Sequence, residues 1–298
     1  MARVKSFTGL NIMPILRRMA GLWAGRAVTG EGERCGGEHR RGHHGIGPLI
    51  GHRGVAAHAP ENTLASLRMA AEMGMRWVEF DVRLSQDGHL VLFHDESLSR
   101  TTNGRGRVAD HDLAALKKLD AGAGFAFAFR GERIPTRTEA VDVLKALGLG
   151  ANVEIKPDPN RETETAQAVV QTLKAVWPGD LPPPVISSFN TLALAVSAAG
   201  APEWEHALLV ETIPRDWRVR LDAVGATAIH CKARRLYRER ATEVLAAGVP
   251  LRCYTVNSAR MARKLFAWGV NAVFTDAPER LSPLSDADKP SQAVCRRV

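Results

Sequence analysis

The chain has 298 residues, of which 45% are hydrophobic and 24% charged, an ordinary composition for a globular protein with a sizeable core. No apolar run approaches the ~18 residues of a transmembrane helix, and the short stretch interrupted by Pro14 falls short of a secretory leader's ~7–15 apolar residues. The four cysteines form no CxxC pair, which argues against a zinc ribbon and favours reduced thiols in a cytoplasm.

The net charge of +8 is concentrated near the chain ends, because residues 1–48 hold eight arginines and lysines against three glutamates. This balance is compatible with an anionic partner such as nucleic acid. Basic tails more often serve solubility, and only 6% of the residues are aromatic, so we expect no nucleic-acid partner. Few apolar residues occur in 26–48, and we predict a disordered basic extension over residues 1–47 and a disordered tail over residues 285–298.

From Leu49 onward, short apolar runs alternate with helical segments. The predicted strands are 49–53, 77–81, 90–94, 152–156, 184–188, 206–211, 227–231, 251–256 and 271–275. The predicted helices between them include 62–73, 161–176, 190–199, 216–224, 233–247 and 258–268, and glycines follow many of them. Alternation of this kind predicts a parallel sheet with right-handed crossovers.

One connection is too short for a parallel crossover. Only the turn Ser85-Gln86-Asp87-Gly88 stands between the second and third runs, and a crossover needs about a dozen residues, so we predict a hairpin there. Eight strands then remain for a closed barrel. The predicted fold is α/β, a (β/α)8 TIM barrel over residues 48–284, with a small insertion at 96–136 after the second strand and hairpin. Long insertions in barrels tend to be functional, and this one is expected to cover the site.

Acidic residues stand on two of the apolar strands. Glu79 and Asp81 are two positions apart, so they face the same side of one strand, and Glu154 lies on the next barrel strand. Three carboxylates converging on one axis repel each other unless a cation lies between them. Oxygen ligands alone favour Mg²⁺ or Ca²⁺ over zinc.

Histidines and cations end the same strands. His52 and Arg53 follow the first strand, His94 ends the hairpin, and Lys156 follows Glu154 by two positions. The carboxyl ends of barrel strands form the active site of this architecture. Histidine suits proton transfer near neutrality, and arginine and lysine hold phosphate oxygens. Each pair alone is equally compatible with a structural ion pair; their joint placement at strand ends favours a metal-assisted phosphodiesterase.

These motifs together resemble the glycerophosphodiester phosphodiesterase family, in its bacterial cytosolic form, over about residues 49–282. The matching segments are His52-Arg53-Gly54, Pro60-Glu61-Asn62-Thr63, Glu79-Phe80-Asp81-Val82, Asp87-Gly88, His94-Asp95, Asn152-Val153-Glu154-Ile155-Lys156, Ser187-Ser188-Phe189, Tyr254-Thr255-Val256-Asn257 and Thr275-Asp276.

The resemblance implies metal-dependent hydrolysis of glycerophosphodiesters to an alcohol and sn-glycerol 3-phosphate. It implies a divalent cation, Mg²⁺ or Ca²⁺, bound by the metal ligands Glu79, Asp81 and Glu154. It also implies that the catalytic pair His52 and His94 exchanges protons. In the family, the glycerol 2-hydroxyl often attacks to give a cyclic phosphate that water opens.

For the substrate, the resemblance implies that Arg53 and Lys156 hold the phosphate. Tyr254 stands where the family usually has tryptophan, and its ring is expected to pack on the glycerol. Glu61 is a weaker candidate for the metal sphere, since its segment is equally explained as the start of helix 62–73 with Asn62 as the cap.

The resemblance leaves a rival on the same barrel, a phosphodiester lyase of the phospholipase type that releases a cyclic phosphate. A small-molecule glycerophosphodiester is the expected partner and the cytoplasm the expected location. The head group, the physiological cation, the division of labour between the histidines and the oligomeric state are not fixed by the sequence.

Overall fold

The structure is a computed structural model that describes residues 45–281. Within that range the strands are β1 Leu49–Gly51, β2 Trp77–Leu84, β3 Leu90–Leu92, β4 Gly150–Ile155, β5 Val185–Ser188, β6 Glu205–Val210, β7 Ala228–Lys232, β8 Leu251–Tyr254 and β9 Ala272–Thr275. All except β3 pair in parallel, in the order β1-β2-β4-β5-β6-β7-β8-β9, and β9 pairs back onto β1. The predicted closed barrel of eight parallel strands is confirmed.

The predicted hairpin is also confirmed. β3 runs antiparallel to β2, with Val82 opposite Leu92. β2 extends to Leu84, beyond its predicted end at Asp81, because the same strand pairs with β4 in the barrel and with β3 above it. The hairpin therefore rises from the barrel and returns His94 to its mouth.

Helices cover the outside of the barrel, except α2, which lies within the insertion. They are α1 Leu64–Glu72, α2 Leu113–Leu116, α3 Arg137–Leu147, α4 Glu162–Val176, α5 Thr191–Gly200, α6 Trp217–Val224, α7 Arg238–Ala246 and α8 Ala259–Ala267. The predicted helix 233–247 was wrong at its start, since Ala233–Arg235 form a 3₁₀ turn before α7.

Helix α3 was not predicted, although the sequence carries its signals. Thr136 and Glu139 form a capping box at its start. At its end Gly148 adopts a left-handed φ of 64°, a conformation that favours glycine.

Apolar residues fill two shells on the two faces of the strands. Inside the barrel lie Trp77, Val185 and Phe274 among smaller residues. Between the strands and the helices lies a larger cluster that includes Trp217 and Leu251. Because side chains alternate along a strand, the interior positions next to Trp77 on β2 are Glu79 and Asp81, which brings carboxylates into an otherwise apolar barrel.

The insertion between β3 and α3 has a small core of its own. Val91, Phe93, Leu98, Val108 and Ile134 are among its buried members. The aromatic run 125–129 is not part of that core: Phe125 and Phe127 are exposed.

None of the helices between residues 45 and 281 is long and apolar enough to cross a bilayer. The predictions for the basic extension and the C-terminal tail fall outside the described residues, apart from residues 45–47.

Candidate active site

Three carboxylates meet where β2 and β4 approach the barrel mouth. Asp81 lies opposite Glu154 in the parallel register of these strands. Glu79 is two positions before Asp81 and faces the same side of β2. One oxygen of each lies within 4.8 Å of the others, and all three side chains are buried. The structure thus brings together the three residues that the sequence predicted as metal ligands.

Burial and mutual repulsion perturb the protonation of this triad. The pKa of Glu79 is raised well above its ordinary value by burial and by Asp81. Burial and Asp81 raise the pKa of Glu154 to about 7. For Asp81, burial is outweighed by Lys156 and Arg53, so its pKa is lowered. Oε1 of Glu79 is buried without any hydrogen-bond partner. An excess of buried acid with an unpaired oxygen fits a divalent cation bound by oxygen ligands.

Two cations partly balance the triad. Nζ of Lys156 lies 2.5 Å from Oε1 of Glu154 and 3.5 Å from Oδ1 of Asp81. Nε of Arg53 lies 3.5 Å from Oδ2 of Asp81, and the Arg53 backbone N–H donates to Oε2 of Glu79 at 2.9 Å. Both predicted phosphate-binding residues therefore border the triad.

The backbone after β1 is tightly folded to place Arg53. Arg53 has a left-handed φ of 51°, which is uncommon outside glycine. Gly54 follows with φ 85°, and a Cβ there would lie 2.3 Å from Oγ of Ser66. The glycine of the His-Arg-Gly motif is thus required by both conformation and space.

His52 is oriented by a carboxylate that the sequence analysis assigned no role. Its Nδ1 lies 2.7 Å from Oδ1 of Asp276. The pKa of Asp276 is lowered, because bonds from His52 outweigh the opposing effect of burial. An ionised carboxylate only accepts hydrogen bonds, so Nδ1 carries a proton. Nε2 then faces the triad, 3.9 Å from Oε2 of Glu79.

His94 is held in the same manner by its neighbour. Its Nδ1 lies 2.6 Å from Oδ1 of Asp95, and Nε of Arg100 donates to Oδ2 of Asp95 at 2.5 Å. The pKa of Asp95 is lowered to about 2, since bonds from Arg100 and His94 outweigh burial. Burial lowers the pKa of His94. Both histidines therefore pair Nδ1 with a carboxylate, which leaves Nε2 for chemistry.

Glu61 lies outside the triad and is engaged by arginines. It accepts from Arg53 NH1 at 2.7 Å and from both terminal nitrogens of Arg100 at 2.7 Å. Glu61 therefore links the surroundings of the two histidines. Arg53 follows His52 in the chain, and Arg100 donates to Asp95, which pairs with His94. Its role in the metal sphere stays a prediction.

Asn62 has a different role from the cap that was predicted. Thr63 is the N-cap of α1, and its side chain accepts from the backbone of Ser66. Asn62 instead has a φ of 57°, donates to Oδ2 of Asp81 at 2.8 Å and accepts from the Asp81 backbone at 3.0 Å. It fixes the central carboxylate of the triad.

An aromatic wall stands beside Lys156. The rings of Phe189 and Tyr254 meet edge to face with centroids 5.9 Å apart, and Nζ of Lys156 lies 5.5 Å from the Phe189 ring centre. The Tyr254 hydroxyl donates to the Val210 carbonyl at 2.9 Å, so the hydroxyl has its partner and the ring is held in place.

On the His52 side of the mouth, a cavity of about 330 Å³ is lined by residues that include His52, Arg53, Glu61 and Asp276. No function was predicted for Asp276, Arg100 or Phe189. Signals existed for two of them, because Asp276 and Phe189 each follow a predicted strand directly. Arg100 lies in the insertion, where no strand end marks it.

Sequence comparison agrees with this geometry. The pattern of the Glycerophosphoryl diester phosphodiesterase family matches residues 52–280. The chain belongs to this family. It is 34% identical over 234 residues to a glycerophosphodiester phosphodiesterase of Caldanaerobacter subterraneus subsp. tengcongensis, covering 78% of this chain and 95% of the relative. It is also 34% identical over 251 residues to one from Bacillus subtilis, covering 77% and 83%.

Solved structures show the same relationship. An Oleispira antarctica phosphodiesterase in complex with the product sn-glycerol-3-phosphate matches with a TM-score of 0.78 and 41% identity, over 80% of this chain and 96% of that one. A glycerophosphodiester phosphodiesterase of Agrobacterium tumefaciens matches with a TM-score of 0.66 and 26% identity, over 80% and 100%. The chain is therefore a phosphodiester hydrolase that acts on glycerophosphodiesters, as the sequence predicted.

Proposed function

We propose that this protein hydrolyses glycerophosphodiesters to an alcohol and sn-glycerol 3-phosphate, using one divalent cation, Mg²⁺ or Ca²⁺, bound by Glu79, Asp81 and Glu154. The observation that carries the proposal is the buried triad, with its unpaired Glu79 oxygen, between two histidines whose Nδ1 atoms are held by carboxylates. The product named for the Oleispira antarctica structure, sn-glycerol-3-phosphate, supports the same substrate class.

When bound, the cation polarises a phosphoryl oxygen and offsets the negative charge that opposes a nucleophile. Glu79, Asp81 and Glu154 would hold either Mg²⁺ or Ca²⁺, since both ions prefer oxygen ligands. The raised pKa values of Glu79 and Glu154 support a site in which added positive charge is favourable.

Arg53 and Lys156 hold the phosphate. Both side chains border the triad, so a phosphate placed there receives hydrogen bonds from two cations as well. These bonds orient the phosphorus between the two histidines and stabilise the additional charge of its pentacoordinate state. The Tyr254 ring, held against Phe189, packs on the glycerol carbons.

The two histidines move protons on opposite sides of the phosphorus. One accepts the proton of the glycerol 2-hydroxyl while its oxygen bonds to phosphorus, and the other donates a proton to the alcohol oxygen as its bond breaks. A water then opens the cyclic phosphate, with the proton transfers reversed. Asp276 and Asp95 keep the two rings in the required orientation.

The test is product analysis with a matched substrate. Glycerophosphoethanolamine, whose head alcohol has no hydroxyl that could attack the phosphorus, is compared with its analogue that lacks the 2-hydroxyl of the glycerol half. Phosphorus NMR is expected to show glycerol 3-phosphate from the first, and no reaction of the second. A cyclic ester that accumulates without glycerol 3-phosphate would reassign the protein as a lyase, whereas comparable hydrolysis of the analogue would mean direct attack by water.

We also propose residues 48–284 as the catalytic domain and the cytoplasm as its location. The location is supported by the thiols of Cys231 and Cys253, which are free and buried with Sγ atoms 3.7 Å apart, since reduced thiols are typical of that compartment. The domain is supported by the family match over 52–280.

A further inference from the structure

A second, larger cleft adjoins the active site. It has a volume of about 920 Å³ and is lined by the turn after β7, the segment 255–258 after β8 and the start of α8. This volume lies within the range of small-molecule sites, about 300–1,000 Å³.

The cleft and the cavity beside His52 share one residue. Asn257 lines both, and its Nδ2 donates to Oδ2 of Asp276 at 2.7 Å. Asp276 in turn holds His52. The side chains of Asn257 and Asp276 therefore separate the cleft from the proton-transferring histidine, and a substrate that reaches from His52 past Asn257 would enter the cleft.

The charge of the cleft is positive and not neutralised. Arg234, Arg260 and Lys264 line it, and no carboxylate among residues 45–281 pairs with any of them. The neighbouring cations Lys232 and Arg235, in contrast, both pair with Glu211.

The N-terminal end of α8 adds to the positive potential of the cleft. Residues 259–267 contain three cations and no carboxylate, and the N-cap Ser258 makes no capping hydrogen bond with its side chain. The first backbone N–H groups of α8 lie at the wall of the cleft. A helix N-terminus favours the binding of a negatively charged group. Side chains and backbone thus favour the same kind of ligand.

We propose that this cleft receives an anionic group carried by the leaving alcohol, so that the enzyme prefers glycerophosphodiesters whose head alcohol bears a second phosphate. The inference rests on the proposed function and adds the substrate class. Phosphate is the best fit because arginine binds its oxygens in bidentate fashion. A cationic head group such as choline meets like charges in the same place.

The experiment compares kcat/KM for three substrates at low ionic strength. They are bis(glycerophospho)glycerol, whose leaving group carries a second phosphodiester, glycerophosphoglycerol, whose head is neutral, and glycerophosphocholine, whose head is cationic. After correction for the two equivalent ends of the first substrate, we expect kcat/KM to fall in that order. A single charge contact of about 4 Å in water corresponds to about fivefold, and added salt is expected to reduce the differences.

Variants locate the effect. The double variant Arg260→Gln/Lys264→Gln is expected to lower the ratio of kcat/KM for bis(glycerophospho)glycerol over glycerophosphoglycerol at least fivefold. The control is Arg263→Gln, which removes one positive charge from an exposed position on α8 outside the cleft lining and is expected to leave the ratio unchanged. All positions are exposed, and thermal unfolding verifies that each variant folds.

The outcomes separate the two proposals. A ratio that is unchanged in the double variant, or lowered equally by Arg263→Gln, would overturn the cleft assignment while glycerophosphoglycerol hydrolysis still supports the proposed function. Absence of hydrolysis of all three substrates by the unaltered chain would overturn both.

Discussion

Charged side chains are buried at both ends of this barrel, and the two groups differ in their balance. At the base, near the N-terminal ends of β6 and β8, Arg252 meets Glu205 through two hydrogen bonds of 2.5 and 3.3 Å. His230 lies 3.1 Å from the same guanidinium, and burial and Arg252 lower its pKa well below the ordinary value. One cation therefore meets one anion and a neutral ring.

At the mouth, three carboxylates face two cations, so the charges are unequal, and Oε1 of Glu79 accepts no hydrogen bond. In a balanced buried pair the two charges offset each other, although Nε of Arg252 and Nδ1 of His230 have no hydrogen-bond partner, and removal of one partner is expected to cost about 3–5 kcal/mol of stability. An unbalanced cluster is unfavourable until a ligand completes it. The charged residues at the base therefore stabilise the fold, and those at the mouth serve the reaction.

The largest expected effect belongs to the mouth histidines. His52→Ala and His94→Ala are each expected to lower kcat by about 10²–10⁴-fold, the contribution of general acid–base catalysis, while the fold persists. The exposed His89→Ala is the control, and coupled assay of glycerol 3-phosphate with circular dichroism checks both points. A near-normal rate in either variant would remove that histidine from the mechanism.

A p-nitrophenyl leaving group divides the two roles, because a weakly basic oxygen departs without a proton. The variant that lacks the general acid is expected to regain most of its rate with this substrate, and the other variant is not. Equal recovery in both would contradict separate acid and base roles.

Neutral replacements test the balance of the two ends. Glu79→Gln is expected to abolish turnover and, in the presence of a chelator, to leave the free energy of unfolding unchanged or higher, because it removes repulsion. Glu205→Gln is expected to lower the free energy of unfolding by about 3 kcal/mol, because Arg252 loses its partner. This variant is expected to retain turnover at low temperature. Denaturant titration and assay of both variants check this pair; equal destabilisation would contradict the distinction.

A smaller effect is expected at Asp276, which orients His52. Asp276→Asn is expected to lower kcat by about 10- to 100-fold with little change in KM, as for partners that orient a functional side chain. Asp216→Asn, on the exposed pair with Arg220, is the control. A change confined to KM would show that Asp276 contacts substrate instead of positioning the histidine.

The smallest effect is expected at Tyr254. Tyr254→Phe removes the hydrogen bond to the Val210 carbonyl but keeps the ring against Phe189. We expect a loss of about 1 kcal/mol in unfolding free energy and a turnover close to that of the unaltered chain. A large loss of turnover would mean that the hydroxyl, and not the ring, contacts the substrate.

The alternation of apolar runs with helical segments made the barrel predictable, and charged residues in those apolar runs made the triad predictable. Glu79 and Asp81 stand two apart in an otherwise apolar run, and period-two alternation places them on one face. The hairpin was predictable because the turn 85–88 is too short for a crossover.

Contacts that depend on tertiary structure were not predictable. Asp276 meets His52 across 224 positions, and no local pattern indicates that pairing. Asn62 looked like a helix cap because an asparagine side chain suits both a helix N-cap and a hydrogen bond to a carboxylate. Its positive φ follows only from the packing that brings it to Asp81. Helix α3 was missed although its capping box was present.

The central claim is that the mouth carboxylates act through a bound divalent cation. It is tested most directly by stripping the protein with EDTA, removing the chelator and titrating Mg²⁺ or Ca²⁺ while glycerol 3-phosphate release from glycerophosphoglycerol is followed. We expect no release from the stripped protein, recovery that saturates at one cation per chain, and no recovery in Glu79→Gln. An undiminished rate after thorough chelation would contradict the claim.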